Sequence, residues 1–484
     1  MNRQIVKLFG VILVLYALLF GFTSYWSVFD SSSLKANTAN RRPLLEEQKI
    51  QRGDILADDG TVIAHSVAQG KGNNKIYVRH YPQGSLFGNP IGYSFVDRGR
   101  VGFEQSHNDE LVGNKTEFLS VLDELQGHAQ VGDKVQSTLD PQAQKVALAG
   151  LGGQRGSVVA IVPSTGEVRV MASIPGYNPN DVENSNTFQR LNTQSSAPLF
   201  NRATQAGYPP GSTMKVVTAT AALDSGQFTT NSVLSGRSPQ TIDGVPLSNA
   251  GGEQFGDIPM TTALTNSVNT WWAQVGEKLG KDTMFKYMDR YGFDAKPRID
   301  LPSFQLAASG VYSGNRLLTP SDPIDIGRVA IGQERLRVTP LQMAEVAATV
   351  ANKGELMEPR LWSKVIDPDG RATNMSPAHQ SRVMSENTAS EINNMMQSVV
   401  QEGTGTAAAV SGIDVAGKTG TAEISTGVNQ AWFIGFAPAN DPQIAIAVTV
   451  ERTSGFGGPT AGPIFKNVAE TILRENRGSG GSGG

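Results

Sequence analysis

The sequence contains no cysteine, and this absence excludes several kinds of site at once. Without cysteine there is no thiol nucleophile, no zinc site with thiolate ligands and no disulfide framework. Histidine is nearly as scarce, because none of the five histidines lies between residues 129 and 378 and none forms a close pair. We therefore expect no metal and no other cofactor, and no Ser-His-Asp triad in that region unless His379 approaches it in space.

Charge is also low and balanced. The chain has 41 Lys and Arg against 44 Asp and Glu, a net charge of −3. There is no basic run and no base-stacking motif, so nucleic-acid binding is not expected. At 484 residues the chain is too long for a single ordinary core, and we expect two or three domains.

One early stretch, residues 8–29, carries no charge at all. As a helix it would span roughly 33 Å, which is enough to cross the hydrocarbon core of a bilayer. Tyr25, Trp26 and Phe29 cluster at its far end, as interfacial anchors do. No small-x-small cleavage pattern follows, so an uncleaved single-pass anchor in the cell membrane is favoured over a signal peptide. Basic residues stand on both sides of the span, and the positive-inside rule alone hardly decides its orientation.

Changes in composition along the rest of the chain divide it into segments. After the anchor comes a polar tether, and then a Gly-rich region of short apolar runs separated by turn signals, which indicates a small, irregular β-containing module. Nothing in this region is arranged like a catalytic site, and we interpret it as a spacer or docking module. The predicted boundaries are a short cytoplasmic N-terminus at 1–7, the anchor at 8–29, the linker and module at 30–136, a larger domain at 137–477 and an engineered-looking Gly/Ser linker at 478–484.

The larger domain has the pattern of an α+β fold. Asp140-Pro141 is a typical helix start, with Asp as the cap and Pro in the first position. Two strand-like runs then form a hairpin, a long helical block follows, and three more strand-like runs precede a final amphipathic helix. This order implies a five-stranded antiparallel sheet flanked by helices. The predicted strands are 156–162, 167–174, 418–424, 431–436 and 444–451, and the final helix is 463–475.

The turn Pro209-Pro210-Gly211 places Ser212 at the start of a predicted helix. Lys215 follows three positions later, so the two side chains share one face of that helix. A hydroxyl at a helix N-terminus beside an amine is a candidate acyl-transfer nucleophile with its base. The pattern is loose by itself, since Ser32 and Lys35 repeat it in a polar stretch.

Two further motifs follow in order, Ser267-Val268-Asn269 and Lys418-Thr419-Gly420-Thr421. The first precedes a buried-looking helix that could hold a loop rigidly, whereas the Ser-x-Asn at Ser385 fits a helix cap better. Lys-Thr-Gly occurs once, at the head of a predicted strand, where Gly420 permits the close approach of a substrate backbone. Three such motifs in order, each in a fitting local context, predict one shared active site.

With these motifs the chain resembles, over nearly its whole length, a class B penicillin-binding protein of the actinobacterial elongation type, a membrane-anchored peptidoglycan transpeptidase. Two positions depart from the family pattern. Asp58-Asp59-Gly60 stands where the family has Asp-Arg-Asn-Gly, which puts in doubt any ion pair made by that arginine, and Met214 replaces the commoner Phe. The resemblance is also carried by Arg52-Gly53-Asp54-Ile55-Leu56, Tyr81-Pro82, Gly102-Phe103-Glu104, Tyr177-Asn178-Pro179-Asn180, Asn201-Arg202-Ala203, Leu318-Thr319-Pro320 and Trp432-Phe433-Ile434-Gly435-Phe436.

The resemblance implies a fold, a reaction and a set of partners. The module within 30–136 would be a pedestal or dimerisation-type module, and 137–477 would be a penicillin-binding transpeptidase domain outside the cytoplasm. The enzyme would cross-link peptidoglycan stem peptides through a serine acyl-enzyme with release of D-alanine, and β-lactams would bind and inhibit it. Its further partners would be the lipid-linked precursor polymer and a glycosyltransferase of the RodA/FtsW type, contacted through the anchor and the module.

The resemblance also implies a role for each motif residue. Ser212 would be the nucleophile, neutral Lys215 its base, and Ser267 the relay that protonates the leaving amine. Lys418 would favour the neutral form of Lys215. The backbone N–H groups of Ser212 and Thr421 would form the oxyanion hole. The implied catalytic set is Ser212, Lys215, Ser267 and Lys418, and the substrate-binding set is Asn269 for the stem amide and Thr419, Gly420 and Thr421 for the end that carries the carboxylate.

Other functions use the same motifs. A serine β-lactamase shares all three, but the class A Glu-x-x-Leu-Asn signature after Ser-x-Asn is absent. A D,D-carboxypeptidase would use the same site with water as the acceptor, and the sequence leaves this activity open. From a different class, the chain could be a membrane scaffold or activator of a RodA/FtsW-type glycan polymerase, a reading that the intact motifs disfavour.

Overall fold

The computed structural model describes residues 3–26, 42–113, 130–376 and 379–480. Its first helix, α1 (Arg3–Ser24), has no buried residue and a mean hydropathy of 2.5, so it is long and apolar enough to cross a membrane. An apolar helix of this length that packs on no other described part of the chain fits a single-pass membrane anchor. The predicted end of the span at Phe29 and the motif copy at Ser32 and Lys35 lie outside the described residues.

The module after the anchor is built around a mixed sheet. Strand β1 (Ile55–Leu56) pairs in parallel with β6 (Lys134–Ser137) and antiparallel with β2 (Val62–Gln69), and β2 pairs antiparallel with β3 (Ile76–His80). The described helices of the module are α2 (Arg42–Glu47), α3 (Gly88–Ile91), α4 (Phe103–Ser106) and α5 (Asn108–Val112). Its strands are β1 (Ile55–Leu56), β2 (Val62–Gln69), β3 (Ile76–His80), β4 (Tyr93–Phe95), β5 (Gly99–Val101) and β6 (Lys134–Ser137).

The larger domain combines long helices with one long-stranded sheet and several short hairpins. The described helices are α6 (Pro141–Leu151), α7 (Ser185–Thr193), α8 (Arg202–Gln205), α9 (Lys215–Asp224), α10 (Met260–Thr265), α11 (Asn269–Arg290), α12 (Ile326–Ala330), α13 (Pro340–Ala351), α14 (Glu386–Gln401) and α15 (Gly457–Gly480). The strands are β7 (Gly156–Ile161), β8 (Val168–Ile174), β9 (Val233–Ser235), β10 (Gln240–Ile242), β11 (Val245–Leu247), β12 (Asp257–Pro259), β13 (Gly310–Ser313), β14 (Arg316–Leu317), β15 (Leu336–Arg337), β16 (Glu355–Met357), β17 (Trp362–Ile366), β18 (Ala372–Asn374), β19 (Gln380–Arg382), β20 (Ala416–Ser425), β21 (Val428–Ala437) and β22 (Ile444–Thr453).

The central sheet has the order β20-β21-β22-β7-β8 and is antiparallel throughout, which confirms the predicted five-stranded sheet. Side chains alternate between its two faces. Phe433 and Val448 pack with helices α6 and α15, whereas Ile434 and Ala447 pack with α13. Because both faces are covered, the strands are buried almost continuously. Strand β20 lies at one edge of this sheet, where β21 is its neighbour in the strand order.

Two predicted helix starts are confirmed and one is displaced. Asp140 caps α6 by accepting from Ala143 N at 2.9 Å, and Ser385 caps α14 by accepting from Thr388 N at 3.1 Å. The last helix begins at Gly457 and not at 463. Proline favours the first turn, but here Pro463 sits inside the helix, whose start is fixed by packing against β20.

The two parts of the chain share a sheet. Strands β17 and β18 come from the larger domain, yet β17 pairs with β6 and completes the order β18-β17-β6-β1-β2-β3. Inside the module, the buried Glu104 carboxylate accepts from Arg52 Nε at 2.8 Å and Arg79 Nε at 2.5 Å. Asp58 lies in the turn that departs from the family pattern, and it forms an ion pair with Arg169 of β8. Its carboxylate therefore has a partner although the turn itself lacks an arginine.

Candidate active site

Ser212 lies in a single 3₁₀ turn, Gly211–Met214, that runs directly into α9. Gly211 has a φ of 54°, and a Cβ there would lie 2.8 Å from the carbonyl oxygen of Thr421. Glycine therefore allows this turn to lie against the edge strand β20. Behind the turn, Met214 is fully buried, whereas Ser212 itself is partly exposed.

The amine of Lys215 is held by the second motif. Its Nζ donates to the Ser267 carbonyl oxygen at 2.7 Å and to Asn269 Oδ1 at 2.7 Å, and it lies 3.2 Å from Ser267 Oγ. A neutral amine has two N–H donors and one lone pair. The two short bonds use both donors, which leaves the lone pair free to accept a proton from a hydroxyl.

Lys418 reaches the same place from the edge strand. Its Nζ donates to Ser267 Oγ at 2.9 Å and to its neighbour's carbonyl, Thr419 O, at 3.2 Å. Like Lys215, it has no exposed surface. The structure thus brings together the predicted residues Lys215, Ser267, Asn269 and Lys418 through direct hydrogen bonds, and it places the Ser212 turn against the backbone of Thr421.

Two buried amines meet at one hydroxyl, and a positive charge on one makes a positive charge on the other less favourable. Burial, and then repulsion from Lys418, hold the pKa of Lys215 well below its usual value. Burial alone lowers the pKa of Lys418 to about 7. A site with one neutral and one charged lysine avoids placing two like charges in the same desolvated space.

Ser267 holds this position with a backbone conformation that is uncommon for its residue type. Its φ is 58°, in the left-handed region that disfavours residues with a Cβ. Such conformations cost about 1–3 kcal/mol and persist where the surroundings fix them. Here the conformation lets both the carbonyl and the hydroxyl oxygens of Ser267 bind Lys215, while the buried Trp271 and Trp272 anchor the following helix.

The threonines of the third motif are held from behind. Thr419 Oγ1 lies 2.7 Å from Thr404 Oγ1, and Thr421 Oγ1 accepts from Gly457 N at 3.0 Å. A Cβ on Gly457 would lie 2.1 Å from Gly420 O, so glycine lets the start of α15 touch the strand. Sequence reasoning missed Thr404 and Gly457. The glycines that flank each of them were the available signal.

Other sequence candidates lie elsewhere. His379 lines a separate cavity with Glu345 and Glu358, and it makes no described contact with the Ser212 turn. Among residues 3–26, 42–113, 130–376 and 379–480, no group of three or more His, Asp or Glu side chains could hold a metal ion. The groups that the structure brings together around Ser267 and Thr419 are hydroxyls, amines and backbone carbonyls.

Residues 156–470 match the family described as "Penicillin binding protein transpeptidase domain", and residues 52–135 match "Penicillin binding protein A dimerisation domain". The chain is 33% identical over 501 residues to "Peptidoglycan D,D-transpeptidase PbpA" of Mycolicibacterium smegmatis, covering 98% of this chain and 100% of the relative. It is 32% identical to the protein of the same name from Mycobacterium tuberculosis strain H37Rv, covering 98% and 99%.

Solved structures agree with these relatives. The imipenem acyl-enzyme complex of penicillin-binding protein A from M. tuberculosis superposes with a TM-score of 0.79 at 31% identity, covering 89% of this chain and all of the other. The penicillin G acyl-enzyme complex of that protein gives a TM-score of 0.77 at 32% identity, covering 87% and 99%.

Proposed function

The chain belongs to the penicillin-binding protein transpeptidase family, and on that premise we propose that Ser212 is its nucleophile. It is a class B penicillin-binding protein, a serine-type peptidoglycan D,D-transpeptidase that β-lactams inhibit. The observation that carries the residue assignment is the position of the Ser212 turn, which runs directly into the helix of Lys215 and lies against Thr421 on the strand of Lys418. The buried amines of these two lysines meet at Ser267 Oγ, 3.2 Å from Lys215 Nζ and 2.9 Å from Lys418 Nζ.

Acylation begins with a proton transfer. Lys215, kept neutral by burial and by the neighbouring charge of Lys418, takes the proton of the Ser212 hydroxyl on its lone pair. The Ser212 oxygen bonds to the carbonyl carbon of the penultimate D-alanine of a stem peptide. The N-terminus of α9, which follows the Ser212 turn directly, favours the negative charge that develops on the carbonyl oxygen. We assign the oxyanion hole to the backbone N–H groups of Ser212 and Thr421, a kind of donor whose loss typically costs about 3–4 kcal/mol.

The bond to the terminal D-alanine then breaks, and its nitrogen needs a proton. Lys215 supplies this proton through the Ser267 hydroxyl, and free D-alanine leaves. An amine of a neighbouring stem next attacks the ester carbonyl, and the proton it loses returns to the Ser212 oxygen by way of Lys215. One peptide bond forms for each one broken, so the reaction as proposed needs no cofactor.

The remaining motif residues bind the substrate. Asn269, whose Oδ1 accepts from Lys215 and whose Nδ2 donates to Ser248 O at 3.4 Å, holds the amide of the stem with its second N–H donor. A Cβ on Gly420 would lie 2.6 Å from Pro210 O, so glycine lets the Ser212 turn lie against β20, and we place the stem peptide alongside this part of the strand. Thr419 and Thr421 donate their hydroxyl protons to the terminal carboxylate of the stem, with the charge of Lys418 close by.

Mass spectrometry tests the nucleophile directly. The full chain in detergent is incubated with penicillin G and digested, and the modified peptide is sequenced. The proposal requires the added mass on Ser212. Modification of any other residue, or a chain that stays unmodified, would refute the assignment.

We also propose that residues 137–477 lie outside the cytoplasm, and that the anchor and the module within 30–136 contact a glycan polymerase of the RodA/FtsW type. The exposed apolar surface of α1 supports such a contact. Because the chain has no cysteine, single cysteines report its orientation cleanly. A membrane-impermeant maleimide should label Lys278→Cys on intact cells and leave Arg3→Cys unlabelled, and the reverse pattern would overturn the orientation.

Replacement of residues 8–24 by an unrelated apolar span should abolish co-purification with the polymerase, and retained co-purification would exclude the anchor as the contact.

A further inference from the structure

Thr404 lies near the start of the connection between α14 and β20, next to the Lys-Thr-Gly motif. Its side chain is exposed, but its hydroxyl oxygen lies only 2.7 Å from the buried hydroxyl of Thr419. The two residues are 15 positions apart, so this contact is a product of the fold. It joins a loop without an assigned role to a threonine of the Lys-Thr-Gly motif.

The loop around Thr404 is fixed by its neighbours. Thr404 N donates to Thr265 O at 3.3 Å, at the end of the helix that leads to Ser267, and Gly405 N donates to Val399 O at 2.9 Å. A Cβ on Gly403 would lie 2.4 Å from Thr265 O, and one on Gly458 would lie 2.5 Å from Thr404 O. The Thr404 hydroxyl is therefore presented to Thr419 from a backbone that has little freedom to move.

A hydroxyl has one proton to donate and two lone pairs that accept. Thr421 Oγ1 already accepts from Gly457 N. Because that N–H cannot accept a hydrogen bond, the hydroxyl proton of Thr421 is available to another group. Thr419 Oγ1 has Lys418 Nζ at 3.5 Å as one donor and Thr404 as its second neighbour. If Thr404 donates, both lone pairs of Thr419 Oγ1 are engaged, and its proton must point to a third partner.

We infer that Thr404 is a positioning residue that makes the Thr419 hydroxyl a donor toward the terminal carboxylate of the acyl donor. A carboxylate only accepts hydrogen bonds, so a Thr419 hydroxyl that rotates freely would lose part of its binding strength. The inference rests on the proposed function, in which Thr419 and Thr421 bind that carboxylate. Thr404 acts through Thr419 and selects for substrates with a free carboxylate.

The test compares two thioester substrates that differ only at the terminal group, one with a free carboxylate and one with a carboxamide. The second-order rate constant for acylation of the full chain in detergent is measured with each. Thr404→Val should lower the rate with the carboxylate substrate about three- to tenfold, the range expected for one neutral hydrogen bond. It should leave the carboxamide rate within about twofold, and Thr404→Ser should restore discrimination. Thr406→Val, the same change at an exposed position two residues further along, is the matched control.

Two outcomes separate the inference from its premise. If the unaltered chain acylates both substrates equally well, or if Thr419→Val leaves discrimination intact, then the carboxylate role proposed for Thr419 is wrong. If discrimination exists and depends on Thr419 but Thr404→Val leaves it unchanged, or slows both substrates equally, then Thr404 has no positioning role. In the double variant Thr404→Val with Thr419→Val, we expect no loss of discrimination beyond that of Thr419→Val alone.

Discussion

Lys418 Nζ donates to Ser267 Oγ across 2.9 Å, although the two residues stand 151 positions apart in the chain. The same oxygen lies 3.2 Å from Lys215 Nζ, so a single hydroxyl joins two buried amines. In a desolvated space, a positive charge on one amine raises the cost of a charge on the other. The protonation state of Lys215 is thereby coupled to that of Lys418.

This coupling predicts a bell-shaped pH profile for acylation. The reaction needs neutral Lys215, so the rate rises as pH passes the pKa of that amine. It also needs charged Lys418, whose pKa is lowered to about 7 by burial, so the rate falls above about that pH. The measurement is the second-order rate constant for acylation by a fluorescent penicillin between pH 5 and 9 (about the range in which proteins stay folded).

Lys418→Gln should slow acylation near neutral pH by about a hundredfold, since it removes a charge that acts on the base and the substrate. With the repulsion gone, the pKa of Lys215 rises and the ascending limb moves to higher pH, while the descending limb disappears. Lys278→Gln on the exposed face of α11 should keep the profile of the unaltered chain. A Lys418→Gln variant with an unchanged profile, or one that is unfolded by circular dichroism, would count against the coupling.

Ser212→Ala should abolish covalent labelling by fluorescent penicillin, because it removes the hydroxyl of the turn that leads directly into Lys215. The sequence provides its own control in the second Ser-x-x-Lys, and Ser32→Ala should label like the unaltered chain. Labelling is read on a denaturing gel, with thermal midpoints of the variants alongside. Persistent labelling of a folded Ser212→Ala variant would contradict the choice of nucleophile.

Trp432→Phe should slow acylation about five- to tenfold with a small loss of stability. The buried indole donates from Nε1 to Pro209 O at 3.0 Å and so fixes the turn that precedes Ser212. Phenylalanine keeps most of the packing but removes one hydrogen bond, worth about 1 kcal/mol. The thermal midpoint of the variant is measured alongside. A lower midpoint with unchanged acylation would show that Trp432 acts only through stability.

The motif residues and the sheet could be predicted because both depend on local patterns. A continuous apolar run defines a strand such as β21, and the order of Ser212, Ser267 and Lys418 in the chain can be read without knowing distances. Contacts between distant segments leave no such pattern. Nothing in the sequence near Thr404 shows that its hydroxyl meets Thr419, and nothing near β17 shows that it pairs with β6 of the module. Helix α15 starts at Gly457 for the same reason, since packing on β20 overrides the local preference of Pro463.

Glu104 predicts an acid-dependent loss of stability in the N-terminal module. This buried carboxylate has its pKa lowered to about 2, because the attraction and hydrogen bonds of Arg79 and Arg52 outweigh the opposing effect of burial. A depressed carboxyl pKa contributes stability that is present above the unfolded value near 4.5 and is lost as pH falls towards 2, here about 3 kcal/mol. The thermal midpoint of the unaltered chain should therefore drop through that window.

Glu104→Gln isolates this effect from general acid unfolding. It leaves the buried guanidinium groups of Arg52 and Arg79 without their counter-charge, which typically costs about 3–5 kcal/mol at neutral pH. The midpoint of the variant should be lower at pH 7 and should fall less between pH 4.5 and 2. Glu386→Gln breaks an ion pair to Lys353 in which both side chains are mostly exposed. It should therefore change neither the thermal midpoint at pH 7 nor the fall of that midpoint at low pH. Because β17 joins the module's sheet to the larger domain, a destabilised module should also lower the yield of penicillin-labelled protein after mild heating. Unchanged midpoints in Glu104→Gln would mean that the two arginines are held by packing alone.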